Sequence, residues 1–196
     1  MQKTVVITGG TSKLGPHIAK TLKLQNFKVI IQYHAQQDVA NALLDQGTVD
    51  SALRADFSNM QDVESLIAKI YTLVHNVDLL INNAAIFEID IFGDVSYALL
   101  DRHLKINAIA PTMLIQGIIK RQLVAPQVIN LLDKMLKRKN KRYFSYKLSK
   151  QILEVSSGMI EDVLEGVDIK NLYLESIDSS AGLASFLLDL ERLVVI

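Results

Sequence analysis

Tyr146 and Lys150 stand four residues apart in Tyr146-Lys147-Leu148-Ser149-Lys150. On a helix that spacing puts both on one face. An ammonium beside a phenol favours the phenolate and lowers the tyrosine pKa. Such a phenol donates a proton at neutral pH and recovers it through a relay. Far upstream, Gly9-Gly10-Thr11-Ser12-Lys13-Leu14-Gly15 follows the apolar run Thr4–Thr8. A glycine-rich turn between a strand and a helix suits a pyrophosphate. The first glycine permits the tight turn, Gly15 lets helix and strand approach, and the helix N-terminus offers free N–H groups. The alternative for the same residues is a tight strand-to-helix turn with no ligand.

The stretches around these groups alternate in character. Thr4–Thr8, Phe27–Tyr33, Ser51–Ala55, Val77–Ile81, Gln127–Leu132 and Asp168–Leu174 read as strands. Most are apolar without strict alternation, as in parallel strands covered on both faces. Leu14–Leu24, Val39–Asp45, Gln61–Val74, Val95–Arg121 and Tyr143–Leu164 carry helical periodicity. Pro16 fits a first helical turn, and Ser58 with Gln61 forms a candidate capping box. The rhythm predicts an α/β fold: a Rossmann-like, doubly wound parallel sheet in three αβα layers, as one domain over residues 1–196. At the tip of the second strand, Gln32-Tyr33-His34-Ala35 holds no acid. An Asp or Glu there would bind the ribose hydroxyls of NAD, so its absence, with Lys13 in the turn, favours NADPH. Asp56, in Ala55-Asp56-Phe57, either accepts from the adenine amino group or caps the next helix.

The chain has 196 residues, 49% of them hydrophobic, with 21 basic and 21 acidic residues and no cysteine. That length allows a sizeable core. A zero net charge argues against a chain built to grip nucleic acid. The lack of cysteine excludes a disulfide scaffold, a thiolate zinc site and a cysteine nucleophile, and the proposed chemistry needs no metal. Nothing resembles a signal peptide or a bilayer-spanning run, so a soluble, cytoplasmic protein with no membrane partner is expected. Charge is uneven along the chain. Lys134, Lys137, Arg138, Lys139, Lys141 and Arg142 crowd into one stretch, while the nine acidic residues beyond Lys150 face only Lys170 and Arg192. The basic run is a solvated loop or a rim that attracts an anionic ligand. His17, His75 and His103 are expected on solvent or helix surfaces.

Taken in order, Thr8-Gly9, Asp56, Asn82-Asn83-Ala84, Asn107 and Tyr146 with Lys150 resemble the short-chain dehydrogenase/reductase family over about residues 4 to 155. The resemblance implies that Tyr146 is the general acid. It implies that Lys150 holds the nicotinamide ribose and lowers the tyrosine pKa, and that Asn107 supports a proton-relay water. The cofactor would lie against Thr8, Gly9, Lys13, Leu14 and Gly15, then Tyr33, His34, Asp56 and Phe57, with Asn82 and Ala84 lining it. The family usually has serine thirteen residues before the tyrosine. Asp133 stands there, as in pteridine reductases and the similar dihydromonapterin reductases. Lys13, Tyr33-His34 and Asn107-Ala108-Ile109-Ala110-Pro111 resemble the same enzymes. So does Phe87, where they stack the pterin between a phenylalanine and the nicotinamide. The resemblance therefore implies NADPH-dependent reduction of a dihydropterin or dihydrofolate. Hydride would go to the carbon of a C=N bond, Tyr146 or Asp133 would protonate the nitrogen, and the ring would lie on Phe87. Read by themselves, Asp133 is alternatively a loop-capping carboxylate and Phe87 a core aromatic.

After Lys150 the resemblance decays. The family ends its sixth strand in Pro-Gly beside the nicotinamide carboxamide, then covers the substrate with a loop and small helices. Here Glu175-Ser176 follows the strand, then Asp178-Ser179-Ser180, a short helix Ala181–Leu190 and a last strand Leu193–Ile196. A shortened C-terminal substrate region is expected, with weaker exclusion of water from the hydride. Two further readings stand. One is a carbonyl or 3-oxoacyl reductase of the same family, which the aspartate disfavours. The other is a cofactor-binding regulatory protein with little turnover. Family members associate through two long helices, here Val95–Arg121 and Tyr143–Leu164, which implies a homodimer or homotetramer.

Overall fold

The computed structural model describes residues 2–175 and 179–194. Six strands form one sheet: β1 (Thr4–Ile7), β2 (Lys28–Tyr33), β3 (Ser51–Arg54), β4 (Leu79–Asn82), β5 (Gln127–Asp133) and β6 (Asp168–Leu174). Their order is β3-β2-β1-β4-β5-β6, and every pairing is parallel. From β1 the chain winds outward to β3, then returns to pair β4 with the other side of β1. A crevice at such a reversal is where open α/β sheets bind ligands.

Alternation along each strand supplies two cores. Val5 and Ile7 pack with α1 (Gly15–Leu24), α2 (Gln37–Asp45) and α7 (Ser180–Leu193). Val6 packs oppositely, with α3 (Met60–Leu73) and α5 (Ala110–Ile119). Both faces of β1, β2, β4 and β5 are covered, so apolar side chains are favoured at nearly every position there. α6 (Phe144–Val163) lies over β5, where Leu153 meets Leu132. Among the described residues no helix is long and apolar enough to cross a membrane.

Several expected boundaries move. The helix expected over Val95–Arg121 is broken into α4 (Tyr97–Leu104), a π-helical turn at Lys105–Ile109 and α5. Pro111 has no N–H for the carbonyl of Asn107 four residues back, which removes an α-helical bond at that point. The cap of α3 is Asn59, whose Oδ1 accepts from the Gln61 N–H at 3.0 Å. Ser58 instead donates its N–H and hydroxyl to Asp56 Oδ1. α7 is longer than expected, because Phe186 and Leu190 bury against the first core. Leu193 is therefore helical and Val194 is the C-cap, so the expected last strand does not begin there; its Val195 and Ile196 lie outside the described residues, as do Ser176 and Asp178. Residues 175–179 alone join β6 to α7.

Candidate active site

The turn after β1 has a shape that excludes side chains at Gly9, Gly10 and Gly15. Gly9 has φ +61°, and a Cβ there would stand 2.9 Å from Ala84 Cα. A Cβ on Gly15 would stand 2.3 Å from the Gly10 carbonyl oxygen. Side chains from two other strand ends fasten this turn. Gly9 N–H donates to Gln32 Oε1 at 2.9 Å, and Gln32 Nε2 donates to the Ala55 carbonyl at 2.7 Å. Thr8 Oγ1 accepts from the N–H groups of Asn83 and Ala84, each at 3.0 Å. Asn83 Nδ2 returns to the carbonyls of Thr8 and Gly9 at 2.8 and 2.9 Å. Thr8 and Asn83 thus clasp β1 to β4 where the sheet order reverses.

Two clefts flank the turn, and Ser12 lines both. The first, of about 220 Å3, runs past Gly9, Gln32, His34, Asp56, Phe57 and Ala84. Burial pushes the Asp56 carboxyl up. The N–H and hydroxyl of Ser58, then the charges of His34 and Arg54, outweigh it and hold Asp56 below the usual carboxylate value. Asp56 is therefore an anionic acceptor at the end of this cleft. Arg54 Nε donates to the His34 carbonyl at 3.1 Å, which keeps a guanidinium at the β2–β3 tip. Tyr33 faces the other way. Its ring is buried in the first core and its hydroxyl donates to Gln37 Oε1.

The second cleft, of about 170 Å3, is lined by Lys13, Leu14, Asn83, Tyr146 and Lys150, among others. Its two catalytic candidates ride on α6, and the start of α6 is held from outside the helix. Both carboxylate oxygens of Asp90 accept from the Ser145 N–H at 3.1 Å, and Oδ2 also accepts from the Ser145 hydroxyl. Tyr143 N–H donates to the Asp90 carbonyl at 2.8 Å, with Tyr143 at φ +66°. A buried carboxylate here satisfies orphan donors and complements the positive end of the helix. Farther along the same face, Asn107 in the π turn donates to Ser149 Oγ at 3.0 Å and exchanges two bonds with Ile86. The π turn, the segment after β4 and α6 are thereby locked together.

The Tyr146 hydroxyl donates to Asp133 Oδ2 at 3.4 Å. Asp133 Oδ1 accepts from the Met135 N–H at 2.7 Å, so one carboxylate both caps the Lys134–Lys137 turn and meets the phenol. Lys150 is buried and donates to the Leu131 carbonyl at 2.8 Å. This overturns the expected depression of the tyrosine pKa. Burial raises Tyr146 well above its ordinary value, and the charge and hydrogen bond of Asp133 raise it further. Burial pushes Lys150 down to about 8, with Asp133 opposing. The carboxylate, not the ammonium, meets the phenol, so Tyr146 is held as a protonated donor.

Phe87 is half-exposed and already has aromatic partners. It stacks on Tyr143 with centroids 4.3 Å apart at 12°, and sets its edge against Tyr146 at 4.7 Å. Asn82 lines neither cleft. It is buried below the site and donates to Asn130 Oδ1 at 2.8 Å. His103, expected at a surface, is fully buried. A hydrogen on Nδ1 serves the Leu99 carbonyl while Nε2 accepts from the Glu88 N–H. Asp90, Ser145 and Ser149 carry no sequence signal of these roles. Asn83 is marked only by its place in Asn82-Asn83-Ala84, and Gln32 only as an amide inside the apolar run Lys28–Tyr33.

A family profile described as short chain dehydrogenase matches residues 3–169. The chain is 24% identical over 193 residues to the uncharacterized oxidoreductase YvrD of Bacillus subtilis, covering 95% of this chain and 72% of that protein. It is 31% identical over 136 residues to the short chain dehydrogenase/reductase dpfgG of Gibberella zeae, covering 66% and 50%. The match thus spans half the length of dpfgG, and 52% of the short-chain dehydrogenase/reductase FrzI of a Cladobotryum species. Among solved structures, FolM alternative dihydrofolate reductase 1 from Brucella suis, in complex with NADP, has a TM-score of 0.84 at 23% identity, covering 97% of this chain and 87% of that one. A blue fluorescent protein from a metagenomic library, in complex with NADPH, has 0.82 at 24%, covering 91% and 76%. At those identities the two structures show the fold. The profile match contains both the glycine turn and the Tyr146/Lys150 pair, and the chain belongs to the short-chain dehydrogenase family.

Proposed function

We propose that the chain is an NADPH-dependent reductase of a pterin-type ring, a dihydropterin or dihydrofolate. The observation that carries this reading is the Tyr146 hydroxyl on the Asp133 carboxylate. A phenol beside a carboxylate offers a donor and an acceptor together. That pairing suits a heteroaromatic ring with amino and imino nitrogens, whereas a ketone oxygen asks for donors alone. The likeness in fold to FolM alternative dihydrofolate reductase 1 in complex with NADP supports the same reading.

The residues present fit the dinucleotide. A Cβ at Gly9 or Gly15 would collide with Ala84 or the Gly10 carbonyl, so these glycines keep the turn tight at the start of α1, where a pyrophosphate would lie. His34, Asp56 and Phe57 would hold the adenosine end, with His34 and Arg54 favouring a 2′-phosphate. Lys13 and Lys150 would hold the nicotinamide end, and NADPH supplies the hydride when bound. Tyr146 gives its proton to the ring nitrogen, Asp133 orients the ring and the phenol, and Asn107 with Ser149 keeps α6 in place. The outer face of α6 exposes Ile152, Val155, Met159 and Val163 at helical spacing. Such a stripe would bury against a second copy in a homodimer or homotetramer.

NADPH oxidation with dihydrobiopterin, dihydromonapterin and dihydrofolate, beside a ketone and a 3-oxoacyl thioester, tests the reading. Turnover of a pterin is expected. Turnover of the ketone or thioester alone would replace the pterin reading with the carbonyl one. The short β6–α7 connection favours a second reading, a cofactor-binding protein without turnover. Tight NADPH binding with no turnover, unaltered by Tyr146→Phe, would select it.

A further inference from the structure

Asp133 is the last residue of β5, and the chain passes at once into the Lys134–Lys137 turn. Its own carboxylate holds that turn by one bond, from the Met135 N–H. Further ties come from the end of β6. Tyr173 pairs in the sheet with Leu132, one residue before Asp133. It packs against Leu132, Leu136 and Leu153, a small cluster apart from the two main cores. Leu136 belongs to the turn and is buried. Lys137 closes the turn and sets its ammonium 4.2 Å from the centre of the Tyr173 ring, where the ring face attracts a cation. The Tyr173 hydroxyl donates to Glu154 of α6, one helical turn beyond Lys150. Burial, then the bond and charge of Glu154, push Tyr173 up to about 12, so its hydroxyl stays a donor. Two residues on, Glu175 pairs with Lys134. One side chain thus touches β5, the turn after Asp133 and the helix that carries Tyr146.

We propose that Tyr173 is a positioning residue that fixes the spacing between Asp133 and Tyr146. The inference rests on the acid pair of the proposed function and adds to it a residue that does not touch substrate. The Tyr146 hydroxyl stands 3.4 Å from Asp133 Oδ2, at the long end for a hydrogen bond. A small shift of the turn therefore decides whether the pair is made. Asp133 belongs to β5 and its turn, whereas Tyr146 rides on α6, and Tyr173 meets both. The Lys134–Glu175 pair is exposed on both sides and contributes little alone. The Tyr173 contacts are partly buried and gather on one ring and its hydroxyl. A misplacement of about 1 Å at reacting groups costs on the order of 10²-fold in rate, so this tie serves catalysis as well as stability.

The test reads kcat with the pterin substrate, the Kd of NADPH from its fluorescence, and the phenolate transition of Tyr146. That transition is the absorbance removed by Tyr146→Phe in each background. Tyr173→Leu should lower kcat about tenfold and leave the Kd of NADPH unchanged. It should also bring the Tyr146 transition down, because Asp133 no longer helps to raise it. Tyr173→Phe keeps the ring under Lys137 and should lose less. Glu154→Leu should match Tyr173→Phe, and Glu154→Gln, whose amide oxygen still accepts from the phenol, should recover that loss. A lower melting temperature of Tyr173→Leu, with kcat and the Tyr146 transition unmoved, makes Tyr173 a packing residue and overturns the inference. If Tyr173→Leu fails to fold, Tyr173→Phe combined with Lys137→Gln carries the same comparison. With no turnover of any pterin the proposed function falls, and the Tyr146 transition alone decides the role of Tyr173.

Discussion

Asp133 takes two donors at once, the Met135 N–H and the Tyr146 hydroxyl, and so ties a loop to an acid. Replacing Asp133 by Asn removes the charge that helps raise Tyr146, so the phenol should ionise at lower pH. The chain has six tyrosines, so the check is the difference in phenolate absorbance between otherwise matched chains with and without Tyr146→Phe. Tyr146→Phe itself should cost the proposed reaction about 10²–10⁴-fold in kcat. Lys150 gives a second pH signature. With its folded value near 8 and an unfolded value of 10.5, the unfolded chain binds more protons between the two. Its contribution to stability therefore rises with pH across that window. The phosphates of NADPH favour the charged lysine, so binding near pH 8 should take up protons and weaken as pH climbs. Calorimetry in buffers of different ionisation enthalpy measures that uptake. The Tyr146/Lys150 face was legible because four residues suffice to define it. What each side chain meets was not: the carboxylate against the phenol and the carbonyl against the lysine both come from β5.

At the scale of elements, α6 depends on a residue of another segment, and Asp90 holds its first turn across 55 residues of chain. Asp90→Ala would leave the Ser145 N–H and hydroxyl buried without an acceptor, at a cost of about 2–3 kcal/mol. Thermal unfolding should show that loss, and Asp90→Asn, which keeps one carbonyl oxygen, should recover part of it. No local pattern announces such a cap, since its partner is distant. The same holds for Asn83, which reaches Thr8 over 75 residues. The π turn had a visible cause in Pro111, yet apolar periodicity runs through it and reads as one helix. Tyr33 shows the opposite lesson. Strand alternation puts Gln32 toward the cleft and Tyr33 toward the first core, and that parity is written in the order of the residues.

For the whole molecule, the α/β rhythm carried the parallel sheet covered by helices on both faces, because apolar runs of this length between helices allow few other architectures. The exposed stripe on α6 belongs to this scale too. Val155→Glu or Met159→Glu should dissociate the proposed oligomer, with sedimentation velocity reporting a monomer while the circular dichroism of the helices persists. Unchanged sedimentation of both variants would remove α6 from that interface. The position of β1 in the middle of the sheet has a consequence for synthesis. Its partner β2 is synthesised soon after it, but its other edge waits for Leu79–Ile81. Until the ribosome has delivered those residues, the edge of Thr4–Ile7 is open to any passing strand. A nascent chain that ends before Leu79 therefore carries an open strand edge in its first half, the kind of edge that makes folding intermediates prone to aggregate.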